Sequence, residues 1–235
     1  MITTILFDLD CTLLPMDQDV FIKAYMAGLT RKAAAHGYDP SQLPEAIWAG
    51  TKAMVKNDGS KSNEDVFWQT FSAVCGKDAK LDIAVFEDFY RYEFQEIRHL
   101  CGFNPRAGET VGQIKDLGYR VVLATNPLFP AIASHSRARW AGLNPEDFEI
   151  ITTYENSRHC KPNLDYYRDI MDVLDVKPVE CVMVGNDVDA DMIAEKRGMK
   201  VFLLTACLIN KSGTDISRYP KGSFPELMDF IRKLK

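Results

Sequence analysis

Two aspartates, Asp8 and Asp10, interrupt the apolar run ILFDLDCTLL near the start of the chain. Ionised carboxylates are rarely buried unless they are paired or bind a metal. More polar residues follow later apolar runs: ThrAsn at 125–126, LysPro at 161–162, and three aspartates at 187, 189 and 191. If these residues share one pocket, their carboxylates would repel one another unless a hard cation such as Mg²⁺ lay among them.

This set of residue types suits phosphoryl transfer. A lysine and a hydroxyl–amide pair beside Mg²⁺ can hold phosphoryl oxygens. An aspartate can attack phosphorus to form an acyl phosphate, and a second can protonate the leaving oxygen and then activate water. Each motif alone is weak, because ThrAsn often begins a turn and acids often decorate a helix N-terminus. The prediction therefore rests on the four motifs occurring together.

The elements around these motifs would gather them at one place. Short apolar runs predict strands at 3–9, 119–124, 148–152, 181–184 and 200–204. Helical patterns after 105 alternate with them, at 107–117, 131–141, 164–174, 190–196 and 224–234. This alternation predicts an α/β fold with a doubly wound, mainly parallel, Rossmann-like sheet. The carboxyl ends of its strands would share one edge, where such sheets bind ligands.

A long helical region separates the first strand from the others. Helices are predicted at Asp17–His36, at Pro44–Lys56, from about Ser62 to Gly76, and at Ile83–Ile97. They predict a four-helix-bundle-like cap domain at 16–102, inserted into a catalytic core formed by 1–15 and 103–235. The cap would lie over the ligand-binding edge, with hinges near 14–17 and 102–105.

Composition excludes several classes of protein. The 235 residues are 46% hydrophobic and 26% charged with a net charge of −5, and no basic stripe indicates nucleic-acid binding. The sequence contains no apolar run of about 18 residues, so no membrane span is expected. The N-terminus lacks the basic region of a signal peptide, so none is expected. Six cysteines without a CxxC pair favour reduced thiols in a cytoplasmic protein. We expect the protein to be a monomer or a homodimer.

The motifs and their order resemble those of the haloacid dehalogenase-like hydrolase superfamily. That family carries DxDxT at the first strand, Ser or Thr after the second, a later Lys, and paired acids after a further strand. Here the corresponding stretches are DLDCT (8–12), TN (125–126), KP (161–162) and GNDVDAD (185–191). The inserted helices resemble the α-helical cap of class C1 members, and the resemblance covers nearly the whole chain.

The resemblance implies a Mg²⁺-dependent phosphatase acting on a small phosphorylated metabolite through a phospho-aspartate. Asp8 would be the nucleophile and Asp10 the general acid/base. Thr125 and the Asn126 backbone would hold the phosphoryl group, and Lys161 would neutralise the developing charge. The metal would be bound by Asp8, by the main-chain carbonyl of Asp10 and by Asp187. Asp191 would orient Lys161 or a water on the metal, whereas Asp189 is interpreted as a solvated acid.

Alternatives remain within the resemblance. Dehalogenase members lack the second aspartate, so Asp10 favours phosphate esters. A sugar phosphomutase would keep Asp10 and remains open, as does a non-catalytic binding or regulatory role. Cys11 stands where the family usually has Gly, and packing is favoured over a reactive thiol. Asn163 after LysPro, where the family often has Asp, is expected to cap a helix.

Substrate contacts from the cap are expected on 16–25 and on the loop 56–63. Lys56 and Lys61 could meet an anionic leaving group there, although solvated surface lysines are favoured. The aromatic residues Phe67, Trp68 and Phe71 are expected to form the cap core rather than a substrate-binding box.

Overall fold

The computed structural model describes residues 1–234. Its centre is a five-stranded sheet in the order β2-β1-β3-β4-β5, and every pairing in it is parallel. The strands are β1 (Thr4–Phe7), β2 (Arg120–Leu123), β3 (Cys181–Gly185), β4 (Lys200–Leu204) and β5 (Lys221–Gly222). The first strand, β1, lies between β2 and β3, so the residues after it reach the middle of the carboxyl-end edge.

Helices cover the sheet and fill the segment between β1 and β2. They are α1 (Gln18–Ala34), α2 (Leu43–Val55), α3 (Asn63–Cys75), α4 (Ile83–Arg91), α5 (Glu93–Glu96), α6 (Pro105–Asp116), α7 (Ala131–Trp140), α8 (Leu164–Leu174) and α9 (Phe224–Arg232). Several caps match the sequence signals. The side chains of Ser62 and Asn163 accept hydrogen bonds from Asp65 N and Asp165 N, and Gly76 ends α3 in the left-handed conformation.

Both faces of the sheet are buried. Alternate strand residues point to opposite faces. Ile5 and Phe7 of β1 belong to one apolar cluster, and Leu6 belongs to another that includes Tyr167 and Met171 of α8. Helices therefore pack on both sides, which confirms the predicted doubly wound α/β fold.

Three predicted elements differ from the structure. The strand at 148–152 is reduced to one parallel bridge between Leu123 and Ile151, because that segment runs along the outer edge of β2 with irregular pairing. The helix predicted at 83–97 breaks at Tyr92, whose φ of −117° and ψ of −76° lie far from ideal helix values. The helix predicted at 190–196 is a 3₁₀ helix at Met192–Arg197. The short edge strand β5 was not predicted.

The helical insertion, residues 18–100, packs directly on the α/β layers. Phe94 stacks on Trp140 of α7 at 5.0 Å between ring centroids, and Tyr25 contacts Phe129 at 5.2 Å. The chain enters and leaves the insertion through two adjacent segments, joined by a hydrogen bond of 2.7 Å from Gly102 N to Pro15 O. The division into cap and core and its hinges stay predictions. Among residues 1–234, no helix is both long and apolar enough to cross a bilayer.

Candidate active site

The turn after β1 places Asp8 at the centre of the carboxyl-end edge. Asp8 N donates to Val184 O at 2.9 Å, which continues the pairing with β3 for one residue. The chain then turns tightly, with Leu14 N donating to Leu9 O at 2.9 Å. Cys11 in this turn has a φ of +64°, a region that side chains other than glycine rarely adopt. The positive φ therefore explains why glycine would suit this position.

Asp8 is held by two neighbours. Lys161 Nζ donates to Asp8 Oδ1 at 2.9 Å, and the Thr12 hydroxyl lies 3.0 Å from Asp8 Oδ2. Lys161 also donates to Asp191 Oδ1 at 2.6 Å, and its side chain is only 2% exposed. Burial disfavours the Lys161 ammonium, but the carboxylates of Asp191 and Asp8 outweigh burial and raise the pKa of Lys161 well above its usual value. Lys161 therefore remains a buried cation beside the nucleophile candidate.

Asp191 is almost fully buried next to Lys161. Its second oxygen, Oδ2, accepts a hydrogen bond from Asp187 N at 3.0 Å. Burial raises the pKa of Asp191, and the Lys161 ammonium opposes that rise. A Cβ at Gly185 would lie 2.1 Å from Asp191 Oδ2, so only glycine at the end of β3 leaves room for this carboxylate. The carboxylate of Asp191 thus fixes the position of the lysine.

Asp10 pairs with a residue that sequence reasoning missed. Asp10 Oδ2 accepts a hydrogen bond from Arg137 Nη1 of α7, and Arg137 is fully buried. The Arg137 guanidinium also lies over the Phe129 ring at 4.3 Å. Burial raises the pKa of Asp10, and Arg137 opposes that rise. Helical spacing from Ala133 and Trp140 puts Arg137 on the buried face of α7, which is the sequence signal that could have identified it.

Thr125 and Asn126 follow β2 and are anchored to their neighbours. Thr125 O accepts hydrogen bonds from the hydroxyls of Thr152 at 2.6 Å and Tyr166 at 2.9 Å. Asn126 Oδ1 accepts from Lys161 N at 3.2 Å. The Asn126 side chain therefore ties the segment after β2 to the segment that carries the lysine.

The segment after β3 carries three polar residues with different partners, Asn186, Asp187 and Asp189. Asp187 Oδ1 accepts from Asp189 N at 2.8 Å and from Ala190 N at 2.9 Å, which holds the following turn. Asn186, which sequence reasoning passed over, is buried, and its Oδ1 lies 2.8 Å from the Thr12 hydroxyl. It directly follows a strand, so the strand-end rule could have identified it. Asp189 is half-buried rather than solvated, and it accepts a hydrogen bond from Ser212 N at 3.2 Å.

These residues line one pocket of about 240 Å³, which we call the catalytic pocket. It brings together all seven residues selected from the sequence: Asp8, Asp10, Thr125, Asn126, Lys161, Asp187 and Asp191. Among the residues that the structure describes, Lys161 is the one Lys or Arg that lines this pocket. The first turns of α1 and the segment before it also line the pocket, through Met16, Gln18, Phe21 and Ile22.

Lys56 and Lys61 lie away from this pocket. Both are exposed, and Lys61 Nζ donates to Gln69 Oε1 at 2.9 Å. The loop that carries them packs on the core segment before Lys161, with Asn63 N donating to Ser157 O at 2.8 Å. The two lysines are therefore surface residues, as the favoured interpretation held.

The oxygen-rich donor set fits a hard cation with waters completing its shell. In the part of the chain that the structure describes, no three His, Cys, Asp or Glu side chains form a metal-binding group by themselves. Mg²⁺ is compatible with fewer carboxylates, because it takes oxygen ligands of any kind and retains water. Asp10 Oδ1 is also buried without a hydrogen-bond partner among residues 1–234, so this pocket has an oxygen still available to a ligand.

Cys11 borders the pocket as a buried thiol. Burial raises the pKa of Cys11 to about 12, and its Sγ donates to Met16 O at 3.3 Å. A thiol in this state is a poor nucleophile, because the thiolate is the reactive form. The structure therefore agrees with a packing role.

The fold and the motif geometry correspond to a known class of enzymes. The family model of haloacid dehalogenase-like hydrolases matches residues 2–198. The chain belongs to this family, so the predicted superfamily and the prediction of a hydrolase are confirmed.

Individual relatives are distant. Glyceraldehyde 3-phosphate phosphatase of Methanocaldococcus jannaschii is 26% identical over 238 residues, covering 100% of this chain and 99% of the relative. YhcW of Bacillus subtilis is 31% identical over 90 residues, which span 38% of this chain and 40% of that protein. The crystal structure of 2-haloacid dehalogenase from Pseudomonas syringae has a TM-score of 0.63, 19% identity and complete coverage of both chains. This last similarity concerns the fold alone.

Proposed function

We propose that the protein is a Mg²⁺-dependent phosphatase that hydrolyses a small phosphate monoester through a phospho-aspartate intermediate. The observation that carries the proposal is the buried Asp8–Lys161–Asp191 chain at the sheet edge, with Asp10 in the same pocket. Family membership and the full-length similarity to a named phosphatase support this class of enzyme.

Each group would have one task. An Asp8 oxygen would attack phosphorus while the bond to the leaving oxygen breaks, and Asp10 would give that oxygen its proton. Asp10 would then take a proton from the water that attacks the phospho-aspartate, which releases inorganic phosphate and restores Asp8. Thr125 and the Asn126 backbone would bind phosphoryl oxygens, and Lys161 would neutralise charge.

Mg²⁺ would be held by Asp8, by the main-chain carbonyl of Asp10 and by Asp187. When bound, it would offset the repulsion between an anionic nucleophile and an anionic phosphate. Asp191 would act through Lys161, whose position it fixes.

The alternatives fit the site less well. A dehalogenase needs no acid for its leaving group, whereas Asp10 is present and paired in the pocket. A phosphomutase needs a second phosphate position, but within the described residues Lys161 is the one Lys or Arg that lines the pocket. A non-catalytic member would be expected to lack a motif residue. The pocket volume favours a small metabolite as substrate, and a cytoplasmic location stays a prediction.

The test is hydrolysis of p-nitrophenyl phosphate by wild type, Asp8→Asn and Asp189→Asn, with and without Mg²⁺. Asp189 is a matched control because it is a neighbouring aspartate outside the pocket lining. We expect Mg²⁺-dependent turnover that is lost in Asp8→Asn and kept in Asp189→Asn. Metal-independent turnover, or full activity in Asp8→Asn, would contradict the mechanism.

A sugar phosphate separates the phosphatase from the mutase. We expect free phosphate as the product, whereas its isomer would identify a mutase. No turnover across a broad panel of phosphate esters would favour the binding role.

A further inference from the structure

A second cavity lies next to the catalytic pocket, between the helical insertion and the segment after Asn126. Its volume is about 90 Å³, and we call it the apolar cavity. Aliphatic and aromatic side chains form nearly all of its wall, among them Leu29, Phe67 and Phe86. No charged side chain lines it within residues 1–234, so a charged group would lose its hydration there without a partner.

The two spaces share part of one wall. Ile22, Leu128 and Phe129 line both of them. Leu128 and Phe129 closely follow Thr125 and Asn126, the residues placed at the phosphoryl group. A substituent that extends from a phosphate held there towards the insertion would meet this shared wall first.

The insertion offers little polar recognition on its side of the catalytic pocket. Of Met16, Gln18, Phe21 and Ile22, only Gln18 is polar. A leaving group rich in hydroxyls or bearing a second phosphate would find few partners on this side. An apolar leaving group would instead gain free energy from removal of its surface from water.

Trp68 is a buried part of the cavity wall. The residue is 4% exposed, and Tyr154 lies in the same wall. The nearby hydroxyls of Tyr25 and Tyr90 bond to each other at 2.8 Å. With this pair of hydroxyls bonded to each other, the wall offers an occupant mainly apolar surface.

We propose that the apolar cavity is the subsite for the leaving group, and that the substrate is the phosphate ester of an alcohol with a compact aliphatic group. This inference rests on the proposed phosphatase function, which it makes more specific. The size of the group follows from the cavity volume. A cavity of ~150 Å³ binds benzene, so the smaller space here suits an aliphatic group of about four carbons better than a ring.

The experiment compares kcat/KM for ethyl, isobutyl and octyl phosphate and for glycerol phosphate. Each additional carbon that becomes buried contributes about fourfold, so isobutyl phosphate, with two more carbons, should exceed ethyl phosphate about 15-fold. Octyl phosphate should give little further gain, and glycerol phosphate should rank below isobutyl phosphate. Thr51→Phe, at a half-buried position of the cavity wall, should abolish the advantage of isobutyl over ethyl phosphate. Val20→Phe, at an exposed position of α1 outside both cavities, should preserve it.

A binding measurement keeps this test separate from catalysis. Calorimetric titration of isobutyl phosphate and glycerol phosphate into Asp8→Asn, and into wild type without Mg²⁺, should show tighter binding of isobutyl phosphate. Occupancy should also change tryptophan fluorescence, and Trp68→Phe should remove most of that change.

The outcomes distinguish the two proposals. A protein that hydrolyses p-nitrophenyl phosphate but shows equal kcat/KM across the alkyl series overturns the subsite and leaves the phosphatase standing. A protein that hydrolyses nothing yet binds isobutyl phosphate more tightly than glycerol phosphate overturns the phosphatase and supports the subsite. Equal binding of isobutyl and glycerol phosphate overturns the subsite whether or not the protein is a phosphatase. So does an advantage of isobutyl over ethyl phosphate that Thr51→Phe leaves unchanged.

Discussion

The two walls of the catalytic pocket differ sharply in chemistry. The wall from the sheet edge is a dense polar network, in which Lys161 contacts two carboxylates and Asp187 accepts two backbone hydrogen bonds. The wall from the helical insertion is mostly apolar, with Phe21 and Ile22 facing the same space. Under the proposed mechanism, the sheet edge would hold the groups that make and break bonds, and the insertion would hold the surface that selects a leaving group. Substitutions on the two walls should therefore have different signatures.

The largest effect is expected for Asp10→Asn on alkyl phosphates. Loss of the group that protonates the leaving oxygen should lower kcat by about 10²–10⁴-fold for an alkyl ester. The effect should be much smaller for p-nitrophenyl phosphate, because nitrophenolate leaves without needing a proton. Steady-state kinetics on both esters check this, and Asp8→Asn, which should abolish both activities, is the reference. Equal losses on the two esters would show that Asp10 is not the acid.

Removal of the buried lysine should lower stability as well as activity. Lys161→Met leaves Asp191 buried without its cation, which should lower the free energy of unfolding by about 3–5 kcal/mol. Chemical denaturation measures this change. Lys80→Met is a suitable comparison, because the Lys80–Asp65 pair is about half exposed and should contribute less than about 1 kcal/mol. Similar stability losses for the two variants would contradict the importance of the buried network.

A smaller effect distinguishes the two residues after β3. If Asp187 is a metal ligand and Asn186 only orients Thr12, Asp187→Asn should weaken Mg²⁺ binding more than Asn186→Ala. Loss of a residue that orients a metal ligand typically lowers metal affinity by about 10–100-fold. We therefore expect the loss for Asn186→Ala not to exceed this range. Calorimetric titration with Mg²⁺ measures both variants. The reverse order would assign the ligand oxygen to Asn186.

The smallest effect is expected for Cys11→Gly. Glycine would relieve the left-handed backbone at a φ of +64°, which costs another residue about 1–2 kcal/mol. The gain is offset by the greater freedom of glycine in the unfolded chain and by loss of the buried thiol. The free energy of unfolding should therefore change by less than about 1 kcal/mol, with kcat close to that of wild type. A large loss of activity would mean that the Cys11 side chain itself supports the turn of Asp8 and Asp10.

The sequence was most informative where local pattern and strand order were sufficient. The strands predicted at 119–124 and 181–184 placed Thr125 and Asp187 at the same edge as Asp8, because parallel strands share the direction of their carboxyl ends. The structure ends these strands at Leu123 and Gly185, and the first strand at Phe7, within one or two residues of the prediction. It was less informative at 148–152, where a short apolar run lies along the sheet margin without forming a regular ladder. Local apolar pattern does not distinguish an edge segment from a paired strand.

By itself, the sequence determined the α/β alternation, the position of the helical insertion and the seven residues that meet in the pocket. Only the tertiary structure revealed the Asp10–Arg137 pair, the contact of Asn186 with Thr12, and the apolar cavity. Arg137 is 127 positions from Asp10, and Asn186 is 174 positions from Thr12. Local pattern predicts elements because it reflects backbone geometry and burial within a few residues. The pairing of distant side chains and the space left between elements depend on how those elements pack against one another.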